Sequence, residues 1–152
     1  SSFADEGAGD FLNTVFDIKA YDPAGELKFG RAKITFAPTR HYIPTFSLRY
    51  ANNGTVISYS ADTAPNQEVC QLARDAALFI CEATLLPEEV EHGMRGHSSA
   101  LEAGEMAKAA GAQRLMLTHY PSEASQEELI LHARAVYHGQ IIVADDHARI
   151  SL

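Results

Sequence analysis

The 152-residue chain has no apolar run near the ~18–20 residues of a membrane-spanning helix. No basic-then-apolar leader pattern opens it. It also lacks an initiator methionine. Its first ten residues are small and acidic, and read as a loop or as the interior of a longer sequence. Cysteine is scarce: Cys70 and Cys81 form no Cys-x-x-Cys pair, and each lies in an apolar setting. That predicts a reduced, cytoplasmic protein whose thiols are buried hydrophobes rather than metal ligands. Positive charge is also short, with 12 Lys and Arg against 20 Asp and Glu and a net charge of −8. Such a surface disfavours nonspecific binding to nucleic acid. Arg31, Lys33, Arg40 and Arg49 cluster in sequence, but they read as alternate solvent-facing strand positions. No repeat or low-complexity tract occurs. The glycines form neither a dinucleotide fingerprint nor a phosphate loop, so no nucleotide cofactor is indicated.

What is present suits one globular α/β domain, with 46% apolar and 21% charged residues. Alternating apolar positions predict strands over 14–20 and 32–37, with Pro23-Ala24-Gly25 as the turn between them. Strands 46–50 and 55–59 follow, joined by Asn52-Asn53-Gly54, whose Asn-Gly step signals a hairpin. The rhythm then changes. A helix is expected over 66–76, a strand over 78–82, and a loop over 85–97 containing Pro87, Gly93 and Gly96. Ser99-x-x-Glu102 opens a helix to about Ala110, stopped by Gly111. Strand 114–118 leads to Pro121. Ser125-x-x-Glu128 then opens a helix to about His138, closed by Gly139. Residues 140–144 and 148–152 are expected to pair around Asp145-Asp146. The sum is a mixed sheet with helices packed on one face.

Three of these apolar segments end on a residue able to bind a ligand. The strand before Asp62 ends in Ser60-Ala61, Leu78–Cys81 runs into Glu82, and Leu115–Thr118 runs into His119. Carboxyl ends of neighbouring parallel strands converge on one edge, where sites are built. His41 follows the second strand on a stiff segment between Pro38 and Pro44. His97 lies in Gly96-His97-Ser98-Ser99, just before a helix N-terminus, where an anion is favoured. Glu82, following four apolar residues, needs a partner once buried, and a carboxylate on one imidazole nitrogen would orient His97 and raise its basicity. Each has a plainer role open to it: Asp62 as a turn or helix-cap residue, His41 and His119 as satisfied core histidines, Glu82 as half of a salt bridge. His92, His132, His138 and His147 are read as non-ligands.

Taken in order, these words resemble the C-terminal half of a metallo-β-lactamase-fold hydrolase of the ribonuclease Z-like and phosphodiesterase branch. The family's Ser-Gly-Asp-Thr is similar to Ser60-Ala61-Asp62-Thr63, its His-Glu-Ala-Thr to Cys81-Glu82-Ala83-Thr84, its His-Ser-Thr to His97-Ser98-Ser99, and its Leu-Thr-His to Leu117-Thr118-His119. His41-Tyr42-Ile43-Pro44-Thr45-Phe46 matches the family's histidine before an apolar strand. The resemblance covers about residues 30–152. It implies half of an αββα sandwich, with residues 1–152 the C-terminal portion of one domain and 1–30 belonging to its middle.

The resemblance also implies roles. Asp62 would bridge two divalent metals, zinc before manganese, with His41 on one and His119 on the other. A hydroxide between them would attack phosphorus, and His97, oriented by Glu82, would protonate the leaving oxygen. The family's His-x-His-x-Asp-His signature is absent, so an N-terminal half carrying it is the expected partner, and this chain alone should be inactive. Ala61 in place of glycine costs little unless its φ is positive. The 21 positions from His41 to Asp62 hold one hairpin, with no room for the long arm that transfer-RNA-processing members insert there. That favours a small phosphodiester over RNA. A transfer RNA 3′-processing endoribonuclease and a non-catalytic interaction domain are the rival readings, and a homodimer is a further candidate assembly. The segment before residue 30 is not expected to be compact alone.

Overall fold

A computed structural model describes residues 6–89 and 95–152. Seven strands form one sheet whose spatial order is the chain order. They are β1 (Leu27–Phe29), β2 (Ala32–Pro38), β3 (Phe46–Asn52), β4 (Thr55–Tyr59), β5 (Leu78–Glu82), β6 (Arg114–Thr118) and β7 (Gln140–Val143). The first four pair antiparallel. From β4 to β7 the pairing is parallel. Each parallel step is bridged by a helix: α2 (Gln67–Leu72), α3 (Ala100–Ala110) and α4 (Gln126–Arg134), with α1 (Glu6–Val15) preceding the sheet. Successive right-handed crossovers that advance in one direction put all three bridging helices on one face, which gives the mixed, one-sided architecture the sequence predicts.

Local chemistry fixes most boundaries. Asn53 and Gly54 take φ of 48° and 82°, the positive pair that a two-residue hairpin turn requires. Ser99 and Ser125 cap α3 and α4, each closing a reciprocal box with a glutamate three residues on. Gly111 ends α3 in the left-handed region. Between sheet and helices lies one core, in which Phe79, Cys81, Leu115 and Leu117 meet Val69, Met106, Leu129 and Tyr137. Burial raises the Cys81 thiol well above its ordinary value.

Several boundaries differ from expectation. Residues 14–20 are not a strand, and Ser1–Asp10 is not wholly loop. α1 runs to Val15, because Phe11, Leu12, Val15 and Phe16 also fit a helical spacing, and 16–20 pair with no described strand. Strand β1 was not foreseen. Helix 66–76 shortens to α2 because the Arg49 guanidinium donates to the carbonyls of Leu72 and Arg74, at 2.8 and 2.7 Å, and closes its end. That gives one residue of the basic cluster a structural task. α4 stops at Arg134 rather than His138. Tyr137 turns inward there, and its hydroxyl donates to the Ala112 carbonyl at 2.8 Å. Residues 148–152 form no strand; Arg114 merely donates to the Ser151 carbonyl at 2.7 Å. In the expected loop 85–97, Pro87–Glu89 is a short 3₁₀ turn. His92 and Gly93 fall outside the described residues, as do Ser1–Asp5.

The sheet face turned away from the helices is apolar. Strand register aligns Phe36, Leu48, Tyr59, Ile80, Met116 and Ile142 in one row across six strands. All six are only half-buried. Tyr21 stacks on Phe36 with ring centroids 4.4 Å apart. No helix among the described residues is long and apolar enough to cross a membrane.

Candidate metal centre

β2, β4, β5 and β6 all point their carboxyl ends at one edge, since two antiparallel steps return β4 to the direction of β2. Asp62, Glu82 and His119 follow or end β4, β5 and β6, and His41 follows β2. His97 enters from the segment leading into α3.

Asp62 is aimed by a sharp turn. Ser60 extends the β4–β5 ladder by donating its N–H to the Ile80 carbonyl at 2.9 Å. Ala61 then takes φ 52°. A positive φ is the stated condition under which alanine in place of glycine is strained, and it is met here. His119 is also left-handed, at φ 50°. Strained backbone of this kind collects at functional sites. The two turns bring His119 Nδ1 to 3.1 Å from Asp62 Oδ1. His41 Nε2 lies 3.9 Å from Asp62 Oδ2. Its Nδ1 donates to the Gly96 carbonyl at 2.8 Å, which leaves Nε2 facing the aspartate with a free lone pair. Gly96 is needed for this approach: a Cβ there would lie 2.7 Å from His41 Nδ1 and 2.6 Å from the Tyr42 ring.

Glu82 is wholly buried and fully partnered. Oε1 accepts from the Thr63 N–H at 2.6 Å and from His97 Nδ1 at 3.0 Å. Oε2 accepts from the Ser98 N–H at 3.2 Å and from Thr84, through its N–H at 3.3 Å and its hydroxyl at 2.6 Å. Five donors offset the cost of burying the group. With Nδ1 spent on Glu82, His97 offers Nε2 to the cleft. Its ring sits 4.8 Å from that of His41 and 5.7 Å from that of His119. The Tyr59 phenol beneath is held above its usual value, by burial first and then by the Asp62 and Glu82 charges.

All five residues singled out in the sequence therefore meet at one rim. Among the described residues, one group of three or more potential metal ligands comes together, Asp62 with His97 and His119, their ligand atoms within 4.8 Å of one another. His97 thus stands closer to the metal-ligand cluster than a purely acid–base role suggests, and His41 stands slightly outside it. A carboxylate with imidazoles is a donor set that zinc and similar divalent ions accept. Sequence reasoning missed Thr84, Gly96 and Tyr42. Thr84 and Gly96 stood inside the quoted words, but their partners lie 35 and 55 positions away in the chain.

A profile of the beta-lactamase superfamily domain matches residues 5–120. The chain belongs to the beta-lactamase superfamily. Within it, the probable metallo-hydrolase YhfI of Bacillus subtilis is 32% identical over 82% of this chain and 51% of its own length. Ribonuclease Z of Methanothermobacter thermautotrophicus is 39% identical over 70% of this chain and 35% of its own. The crystal structure of YhfI superposes with a TM-score of 0.78 at 27% identity, over 89% of this chain and 56% of that one. That of the short form of human tRNase Z gives 0.63 at 26%, over 82% and 44%. The superfamily chain described here thus has the metallo-β-lactamase fold and covers part of it, spanning about half the length of the relatives it matches. The superfamily's hydrolases are metal-dependent, so divalent metal binding follows for the fold.

Proposed function

We propose that this chain supplies the C-terminal half of a dinuclear phosphodiesterase, with His41, Asp62 and His119 as metal ligands and the His97–Glu82 pair as general acid. The observation that carries this reading is the meeting of Asp62, His97 and His119 within 4.8 Å, with Glu82 behind His97 and His41 alongside. When bound, two divalent ions, zinc in first place, would activate water and offset charge on the phosphoryl oxygens. The protein's own part is positional. Glu82 holds the His97 proton on Nδ1, so a protonated Nε2 can be delivered to a leaving oxygen in the cleft. Asp62 offers two oxygens that point toward different histidines.

Three ligands, His41, Asp62 and His119, cannot complete two coordination shells. An N-terminal half bearing His-x-His-x-Asp-His would supply the remaining ligands, and the apolar row across the sheet would pack on its second sheet. On that reading this chain alone does not turn over substrate. A small phosphodiester is favoured over transfer RNA, because β3 and β4 are joined by a two-residue turn and leave no arm between His41 and Asp62. Tyr42, 68% exposed with its ring 6.1 Å from that of His97, offers a face on which a nucleobase could stack.

The test uses the full-length protein, assayed against bis(p-nitrophenyl) phosphate, cyclic nucleotides and precursor transfer RNA, with metal content measured in parallel. Turnover of the small diesters, with bound divalent metal, is expected. Cleavage of precursor transfer RNA alone would establish the processing endoribonuclease instead. A full-length protein that takes up no metal would leave the interaction-domain reading.

A further inference from the structure

We propose that Thr84 is a positioning residue: its hydroxyl joins His119 to the Glu82–His97 pair and fixes the His119 proton on Nδ1. The inference rests on the reading of His119 as a metal ligand. Thr84 Oγ1 lies 2.6 Å from Glu82 Oε2, 2.9 Å from the His119 carbonyl oxygen and 3.1 Å from His119 Nδ1.

A hydroxyl has one proton to give and two lone pairs to offer. Were that proton directed at Nδ1, two close oxygens, Glu82 Oε2 and the His119 carbonyl, would face Oγ1 with no hydrogen between. Donation to Glu82 Oε2, the nearer and charged oxygen, leaves one such contact instead of two. That leaves a lone pair of Oγ1 facing Nδ1, so the imidazole must be the donor. The proton on Nδ1 frees Nε2 as the ligand atom. Nδ1 is also 3.1 Å from Asp62 Oδ1, but an aspartate that gives its oxygens to cations no longer serves as that acceptor. Thr84 then remains the partner that orients the ring. A continuous chain results, from His119 through Thr84 and Glu82 to His97.

The experiment uses the full-length protein. In metal-free Asp62→Ala, which removes the other acceptor facing Nδ1, long-range ¹H–¹⁵N correlation of the imidazoles should show His119 as the Nδ1–H tautomer, and the Nε2–H tautomer would overturn the proposal. Thr84→Val and Thr84→Ser are then compared for zinc affinity by chelator competition. Thr84→Val should lose roughly tenfold or more and Thr84→Ser should stay within about threefold of wild type, as for partners that orient metal-binding histidines. Val binding as wild type, or Ser losing as much as Val, would overturn it. If Thr84→Val does not fold, the Asp62→Ala tautomer still decides. If wild type takes up no zinc, the phosphodiesterase reading fails, while the tautomer separately decides the role of Thr84.

Discussion

At the scale of single residues, two strained positions frame the centre. Ala61 adopts φ 52° where the matching family word has glycine. Ala61→Gly should therefore stabilise the fold by ~1 kcal/mol, read as a higher urea midpoint with an unchanged slope. Cys81 gives a second expectation. Its burial lifts the folded-state thiol above its ordinary 9.0, so the unfolded chain releases that proton first as pH rises. The stability this contributes is complete below pH 9 and drains away above it. Thermal scans between about pH 8 and 10 should show this decline, and Cys81→Ala should flatten it. Asp62, Glu82, His97 and His119 were legible because each breaks an apolar run or opens a capped helix. The sign of φ at residues 61 and 119 was not, since it is imposed by where the sheet must send the next side chain.

At the scale of elements, chain punctuation told most. The Ser-x-x-Glu boxes and Gly111 placed both ends of α3, and Asn53-Gly54 placed the β3–β4 hairpin. Ser99 does double duty as the cap of α3 and the neighbour of Ser98, whose N–H and hydroxyl hold Glu82 and Thr63. Ser99→Ala should cost about 1 kcal/mol of stability in chemical denaturation. The failures were of another kind. Residues 11–18 fit both a helical and an alternating pattern, and only the availability of a neighbouring strand decides between them. The early ends of α2 and α4 depend on Arg49 and Tyr137, whose partners are 23 to 25 positions distant. No local window contains that information.

At the scale of the molecule, one face of the sheet is sealed by helices and the other carries a half-buried apolar row. Contiguous apolar surface of this kind marks an interface. The isolated chain should bind the dye ANS strongly, and Ile80→Lys should lower that signal by disrupting the row's centre. Unchanged fluorescence would show the row is already covered. One-sidedness was legible from the alternation of strands and helices, whereas continuity of the row needed the register. Register has a further consequence. Because neighbours in the sheet are also neighbours in sequence, a polypeptide leaving the ribosome meets each docking edge already in place. No later strand has to be threaded between two earlier ones, which keeps loop-closure entropy low at every step. The rim residues emerge in the order His41, Asp62, Glu82, His97, His119. The cluster of candidate ligands Asp62, His97 and His119 is thus complete only when β6 docks, so a chain stalled before residue 119 has a well-begun sheet without that cluster.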